Sequence, residues 1–154
     1  MITTKDIPSE CIEYRNRERT LMFSEKGRSY YGLNPDSKEI LGFKVDKGFI
    51  NDENDRCDYS LIVQNDVCFL IELKGHDVSH SAEQIMSTRE IFDKNYGIKK
   101  FVARIVCSKA KTTELNSNTF KKMKKVMKML KKRQKQYGRP EHFVYINTHR
   151  PIEK

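Results

Sequence analysis

The sequence predicts an α/β fold: a mixed central sheet in the order β-meander, helix, strand, helix, strand, flanked by helices. Three observations carry this. First, two β-branched and aromatic runs, CDYSLIV (residues 57–63) and VCFLIEL (67–73), flank the polar triplet Gln64-Asn65-Asp66, a hairpin pattern. Second, a helical stretch from Val78 or Ser79 to about Lys94 separates this hairpin from another apolar strand, KKFVARIVC (99–107). A helix between two strands is what a parallel crossover requires. Third, a lysine-rich amphipathic stretch precedes a last strand, HFVYIN (142–147).

In chain order, residues 1–35 are polar with β-like patches and end on the turn signal Gly32-Leu33-Asn34-Pro35. Within them, IEYRNRERTLMF (12–23) reads as a hairpin turning at Arg15 to Arg17 rather than as a helix. EILGFKVDKGFI (39–50) alternates enough to be the first strand of the meander, and NDENDR (51–56) is a polar loop. The hairpin then supplies the second and third strands. Gly75-His76-Asp77 breaks the pattern before the helix, which Asn95-Tyr96-Gly97 ends. Residues 109–118 form a polar loop in which Ser117-Asn118 can cap the basic helix, and Tyr137-Gly138-Arg139-Pro140 stops that helix. The chain reads as one domain, 1–154. Residues 1–35 are a β-rich addition, 39–107 the core, and 117–148 the basic helix with the final strand.

A chain of 154 residues can bury a sizeable core. No apolar run is long enough to span a membrane, and the opening MITTKDIPSEC lacks the apolar stretch of a signal peptide. Cys11, Cys57, Cys68 and Cys107 have no metal-ligand spacing, and three of them sit in apolar strand patterns. They read as reduced core residues, which points to a cytoplasmic protein without a disulfide frame. His76 and His80 are four residues apart but straddle a loop-to-helix boundary, so surface positions fit them better than a metal site.

The net charge is +9, and one segment accounts for it. KKMKKVMKMLKKRQK (121–135) holds Lys121, Lys122, Lys124, Lys125, Lys128, Lys131, Lys132, Arg133 and Lys135 with no acid. Phe120, Met123, Met127, Leu130 and Tyr137 fall near heptad spacing, so the helix has one apolar stripe and a broad basic face. Such a face suits a nucleic-acid backbone and predicts salt-sensitive, sequence-independent binding. A merely solvated face, an acidic membrane or an acidic helix-binding partner are the competing readings.

The chemistry concentrates between Asp58 and Lys74. Charged groups at the ends of buried strands are costly unless they have a partner or a task. Alternation puts Glu72 and Lys74 on one face of their strand. If residues 64–66 form a three-residue loop, Ile62 pairs with Cys68, Ser60 with Leu70 and Asp58 with Glu72. The two acids then share a face. A two-residue loop would pair Asp58 with Leu73 and separate them. Paired in this way, two carboxylate oxygens, a backbone carbonyl near Leu73 and several waters suit Mg²⁺, with Mn²⁺ as an alternative. Gly75 would let a phosphate approach, and Asp77 and Glu83 could join through water.

Asp58 followed by Glu72-x-Lys74 at consecutive strand ends resembles the PD-(D/E)XK nuclease superfamily over roughly residues 40–107. Cys57 stands before the aspartate, at a position that varies in that family. The resemblance implies a restriction endonuclease-like fold and metal-dependent phosphodiester hydrolysis, with DNA favoured over RNA. It makes Asp58 and Glu72 the metal ligands and Lys74 the residue that orients water or stabilises developing charge. It also implies a glutamine on the following helix, for which Gln84 is placed, and in many members a glutamate on a first helix. Glu10, Glu13 and Glu18 are the candidates for the latter, and the strand-like reading of 12–23 argues against all three. That gap leaves a second expectation, a catalytically inactive protein of the same fold that binds nucleic acid or an acidic protein. A homodimer would lengthen the short binding track of one chain.

Overall fold

A computed structural model describes residues 1–74, 77–107, 112–134, 144–147 and 152–153. The chain is mixed α/β. Its main sheet has six strands in the order β1-β4-β5-β6-β7-β8: β1 (Ile12–Asn16), β4 (Ile40–Lys44), β5 (Tyr59–Val63), β6 (Val67–Lys74), β7 (Lys100–Cys107) and β8 (Val144–Asn147). A separate sheet contains β2 (Thr20–Glu25), β3 (Arg28–Leu33) and β9 (Ile152–Glu153). The helices are α1 (Val78–Tyr96), α2 (Thr112–Leu115) and α3 (Asn118–Gln134). No helix among the described residues is long and apolar enough to cross a membrane.

The β4-β5-β6 meander is antiparallel, and β6 and β7 run parallel on either side of α1, as the crossover pattern requires. Strand β6 is covered on both faces, which explains its nearly unbroken apolar run. Cys68 and Leu70 pack toward the helices with Ile85, Phe92, Phe101 and Ile105. Ile71 and Leu73 face the other way, against Leu21, Phe23 and Tyr30 of the small sheet. The result is a layer of helices, a six-stranded sheet and a three-stranded sheet with a core at each junction.

Three expectations about the elements change. Residues 12–23 form two strands, but not a hairpin. Asn16 takes a left-handed φ of 67°, and the chain leaves the main sheet there. Strand β1 pairs with β4, while β2 pairs with β3. The physical reason is that Leu21 and Phe23 bury themselves on the second face of the main sheet, which takes β2 into another layer. The Tyr14 hydroxyl bridges the two, donating to the Met22 carbonyl at 2.8 Å and accepting from its amide at 2.9 Å. Gly42 permits the close approach: a Cβ there would meet Phe23 Cζ at 2.9 Å.

The meander's first strand also ends at Lys44 rather than Ile50, because Phe49 N–H turns back to the Lys44 carbonyl and Ile50 N–H to that of Val45. Finally, the polar loop after β7 contains the short helix α2.

Helix α1 is capped by Asp77, whose carboxylate accepts from His80 N–H at 3.0 Å, and ends at Tyr96, two residues beyond Lys94, before a left-handed Gly97. Ser117 Oγ accepts from Phe120 N–H at 3.2 Å and caps α3, as its position suggested. Phe120 and Met123 are buried against the helix-side core, and Val126 packs at its margin.

Candidate functional site

Five elements meet at a cleft of about 430 Å³, and strand register brings its central acids together. Tyr59 pairs with Ile71, Ser60 with Leu70 and Ile62 with Cys68, the register that a three-residue connection demands. Gln64 and Asn65 both have positive φ, and Asp66 N–H closes the turn on the Val63 carbonyl at 3.1 Å. Such a pair of left-handed central residues matches the twist of the flanking strands. One step beyond the ladder, Asp58 N–H donates to Glu72 Oε2 at 3.1 Å and Leu73 N–H donates to Asp58 Oδ2 at 2.8 Å. Each acid therefore binds the backbone of the other's strand. Glu72 is 2% exposed.

The segment before Asp58 is tied to α1. Cys57 N–H donates to Thr88 Oγ1, whose hydroxyl donates to the Gln84 carbonyl. Gln84 Nε2 donates to the Arg56 carbonyl at 3.1 Å. Arg56 is buried, paired with Asp52 and bonded to Ser87. Helix α1 thus fixes the point at which Asp58 enters the sheet. The same contact turns Gln84, which is 8% exposed, into the wall of the cleft with its Oε1 lacking a hydrogen-bond partner.

Two acids enter that the motif did not indicate. Glu25 comes from the end of β2, and Asp46 from the turn after β4. Glu10, Glu13 and Glu18 do not line the cleft; they are exposed, in a 3-10 turn, on β1 and in the β1–β2 connection. Glu25 carried no local signal, because only the packing of one sheet on another brings it near Asp58. Four cationic residues also line the cleft, Lys26, Arg28, Lys44 and Lys47, so it holds as many bases as acids.

Burial raises the Asp58 carboxyl from 3.8 to about 7. The Leu73 amide opposes this, while the nearby charges of Glu25 and Asp46 reinforce it. Burial also raises Asp46, with Lys47 opposing it.

Two other expected contributors, Asp77 and Glu83, stand elsewhere. Asp77 caps α1 and Glu83 pairs with His80, so neither reaches the cleft; His80 also pairs with Asp55 at 3.1 Å. Lys74 is the last residue of β6, opposite Cys107, and its side chain lies outside the described residues, as do Gly75 and His76. On the basic helix, Lys121, Lys122 and Lys125 are exposed, whereas Lys124 is half-buried with Nζ 5.7 Å from the Phe120 ring centroid. The side chains of Lys128, Lys131, Lys132 and Arg133 lie outside the described residues, and so does Lys135 entirely.

The cleft's donors are carboxylate and amide oxygens, which suit a hard cation such as Mg²⁺ or Mn²⁺. The unpartnered Gln84 Oε1 and the crowding of acids around Asp58 fit such an ion. Among the described residues, no three His, Cys, Asp or Glu side chains are already arranged to hold a metal ion. Comparison with protein-family models, curated proteins and solved structures found no match.

Proposed function

We propose that the protein is a metal-dependent nuclease with a restriction endonuclease-like core, hydrolysing phosphodiester bonds in nucleic acid, with DNA favoured over RNA. The observation that carries this reading is the reciprocal bonding of Asp58 and Glu72 at the strand ends, beside a cleft lined by Gln84 and basic side chains. Asp58 and Glu72 would hold Mg²⁺ or Mn²⁺. When bound, such an ion supplies Lewis-acid polarisation of a phosphate and a more acidic water. Lys44 and Lys47 at the cleft wall would draw in the phosphate, and Gln84 Oε1 would accept a hydrogen bond from an ordered water. Lys74, next but one after Glu72, would orient the attacking water or stabilise charge developing on the phosphate. The exposed lysines of α3 would hold more of the backbone, and a homodimer would extend that track. Four buried thiols support a cytoplasmic setting.

Purified protein incubated with linear, branched and single-stranded DNA or RNA should cleave with Mg²⁺ or Mn²⁺ and not with EDTA. Asp58→Asn, Glu72→Gln and Lys74→Ala should each lower the rate by about a hundredfold or more. Cleavage that survives all three substitutions removes the assigned site.

A second reading is a catalytically inactive binding protein of the same fold. The observation favouring it is that Asp58 and Glu72 already satisfy backbone amides. Salt-dependent binding without cleavage under every metal condition would select it.

A further inference from the structure

The small sheet reaches into the cleft through one turn. Lys26 and Gly27 both have positive φ, which closes a two-residue turn and pairs Glu25 with Arg28. Ser24 and Ser29 bond across the strands at 2.7 Å. The turn is also anchored to the main sheet beside the candidate metal ligands. Tyr59, the neighbour of Asp58, donates its hydroxyl to the carbonyl of Ser24, the neighbour of Glu25, at 3.2 Å. Phe23 stacks on the Tyr59 ring at 4.9 Å between centroids. With adjacent residues joined in this way, Glu25 and Asp58 line the same cleft.

The two carboxylates bring acceptors to that cleft and no donor between them. Glu25 Oε2 is buried and has no hydrogen-bond partner. Across the cleft, the buried Gln84 Oε1 is also without one. Buried acceptors on separate elements that line one cleft call for a shared cation or a shared proton.

We propose that Glu25, carried by the β2–β3 turn, is a third carboxylate ligand for the divalent cation held by Asp58 and Glu72, with Gln84 Oε1 facing that ion or its water. This rests on the metal-dependent reading above. It gives the small sheet a function besides covering apolar surface: it places an oxygen donor that the core hairpin lacks. The donors are all hard oxygens, so the ion class is Mg²⁺ or Mn²⁺ rather than a thiolate- or imidazole-seeking metal.

Mn²⁺ binding to the full chain, measured by titration calorimetry and by the electron paramagnetic resonance of free Mn²⁺, tests the assignment without reference to cleavage. Glu25→Gln should weaken Mn²⁺ binding at least about tenfold, and Glu25→Asp, which retracts the carboxylate by one methylene, should weaken it less. Glu18→Gln, on an exposed residue, should leave it unchanged. If Glu25→Gln does not fold, Glu25→Asp decides alone. Wild-type affinity in the Glu25 variants, with binding lost in Asp58→Asn, overturns the role of Glu25 and leaves the metal-dependent reading standing. No Mn²⁺ binding to the wild-type chain overturns both.

Discussion

Asp58 holds its strand end in place through the Leu73 amide, yet burial and the carboxylates of Glu25 and Asp46 oppose its ionisation. The consequence is measurable in protein stripped of metal. A carboxyl whose folded-state pKa is raised from 3.8 to about 7 contributes stability below the unfolded value, and this contribution is lost as pH rises through about 7. The metal-free chain should therefore lose stability between about pH 4 and 7 through this residue, at no more than about 1.4 kcal/mol per pH unit. Asp58→Asn keeps an acceptor for the Leu73 amide and cannot ionise. Urea melts in EDTA should show a flatter profile for this variant and greater stability than wild type at about pH 8. A variant less stable than wild type there would contradict the account. The cysteines provide a second check at this scale. Burial pushes Cys68 up to about 12 and Cys57 well above its usual value. Both should resist thiol reagents at neutral pH in the folded protein and react once it is unfolded.

The hairpin shows both what the sequence made legible and where it stopped. Alternation of apolar and polar residues narrowed the register to two choices, one of which joins Asp58 to Glu72. Gln64-Asn65-Asp66 could not decide between them, because three polar residues fit either loop length. What decides is a left-handed backbone at Gln64 and Asn65, and glutamine gives no sign of that conformation. The same fact yields a prediction. Gln64→Asn with Asn65→Gly substitutes residues that tolerate positive φ, and should stabilise the protein by about 0.5–1 kcal/mol without changing the register. Thermal melts measure the gain, and a loss would mean that this turn is not built as described. Helix α3 was legible for a different reason, since Phe120 and Met123 recur at helical spacing and do pack inward. Met123→Ala should cost about 2–5 kcal/mol, while Lys122→Ala on the exposed side should stay within about 0.5 kcal/mol.

At the scale of the whole molecule, the layer that closes the fold and supplies Glu25 was hidden from the sequence, because it depends on contacts between distant segments. Leu21 and Phe23 meet Leu61, Ile71 and Val106 only after the main sheet exists. Net charge, by contrast, was plain from composition, and its placement leads to the last prediction. The exposed Lys121, Lys122 and Lys125 lie on a helix packed against α1 and β7, whereas the candidate chemical site is a cleft with equal numbers of acidic and basic residues. A charge-balanced cleft offers little long-range attraction to a polyanion, so nucleic-acid affinity should come mainly from the lysine face. Replacing all three with alanine should weaken binding to duplex DNA and reduce the slope of log affinity against log salt by about 3, roughly one per lost phosphate contact. Fluorescence anisotropy over a potassium chloride series measures that slope. Replacing the exposed Lys5 and Lys94 serves as the comparison and should leave it nearly unchanged. An equal slope in the triple variant and the wild type would remove α3 as the interface. A reduced slope with unchanged Mn²⁺ affinity would separate the surface that holds the polyanion from the cleft that acts on it.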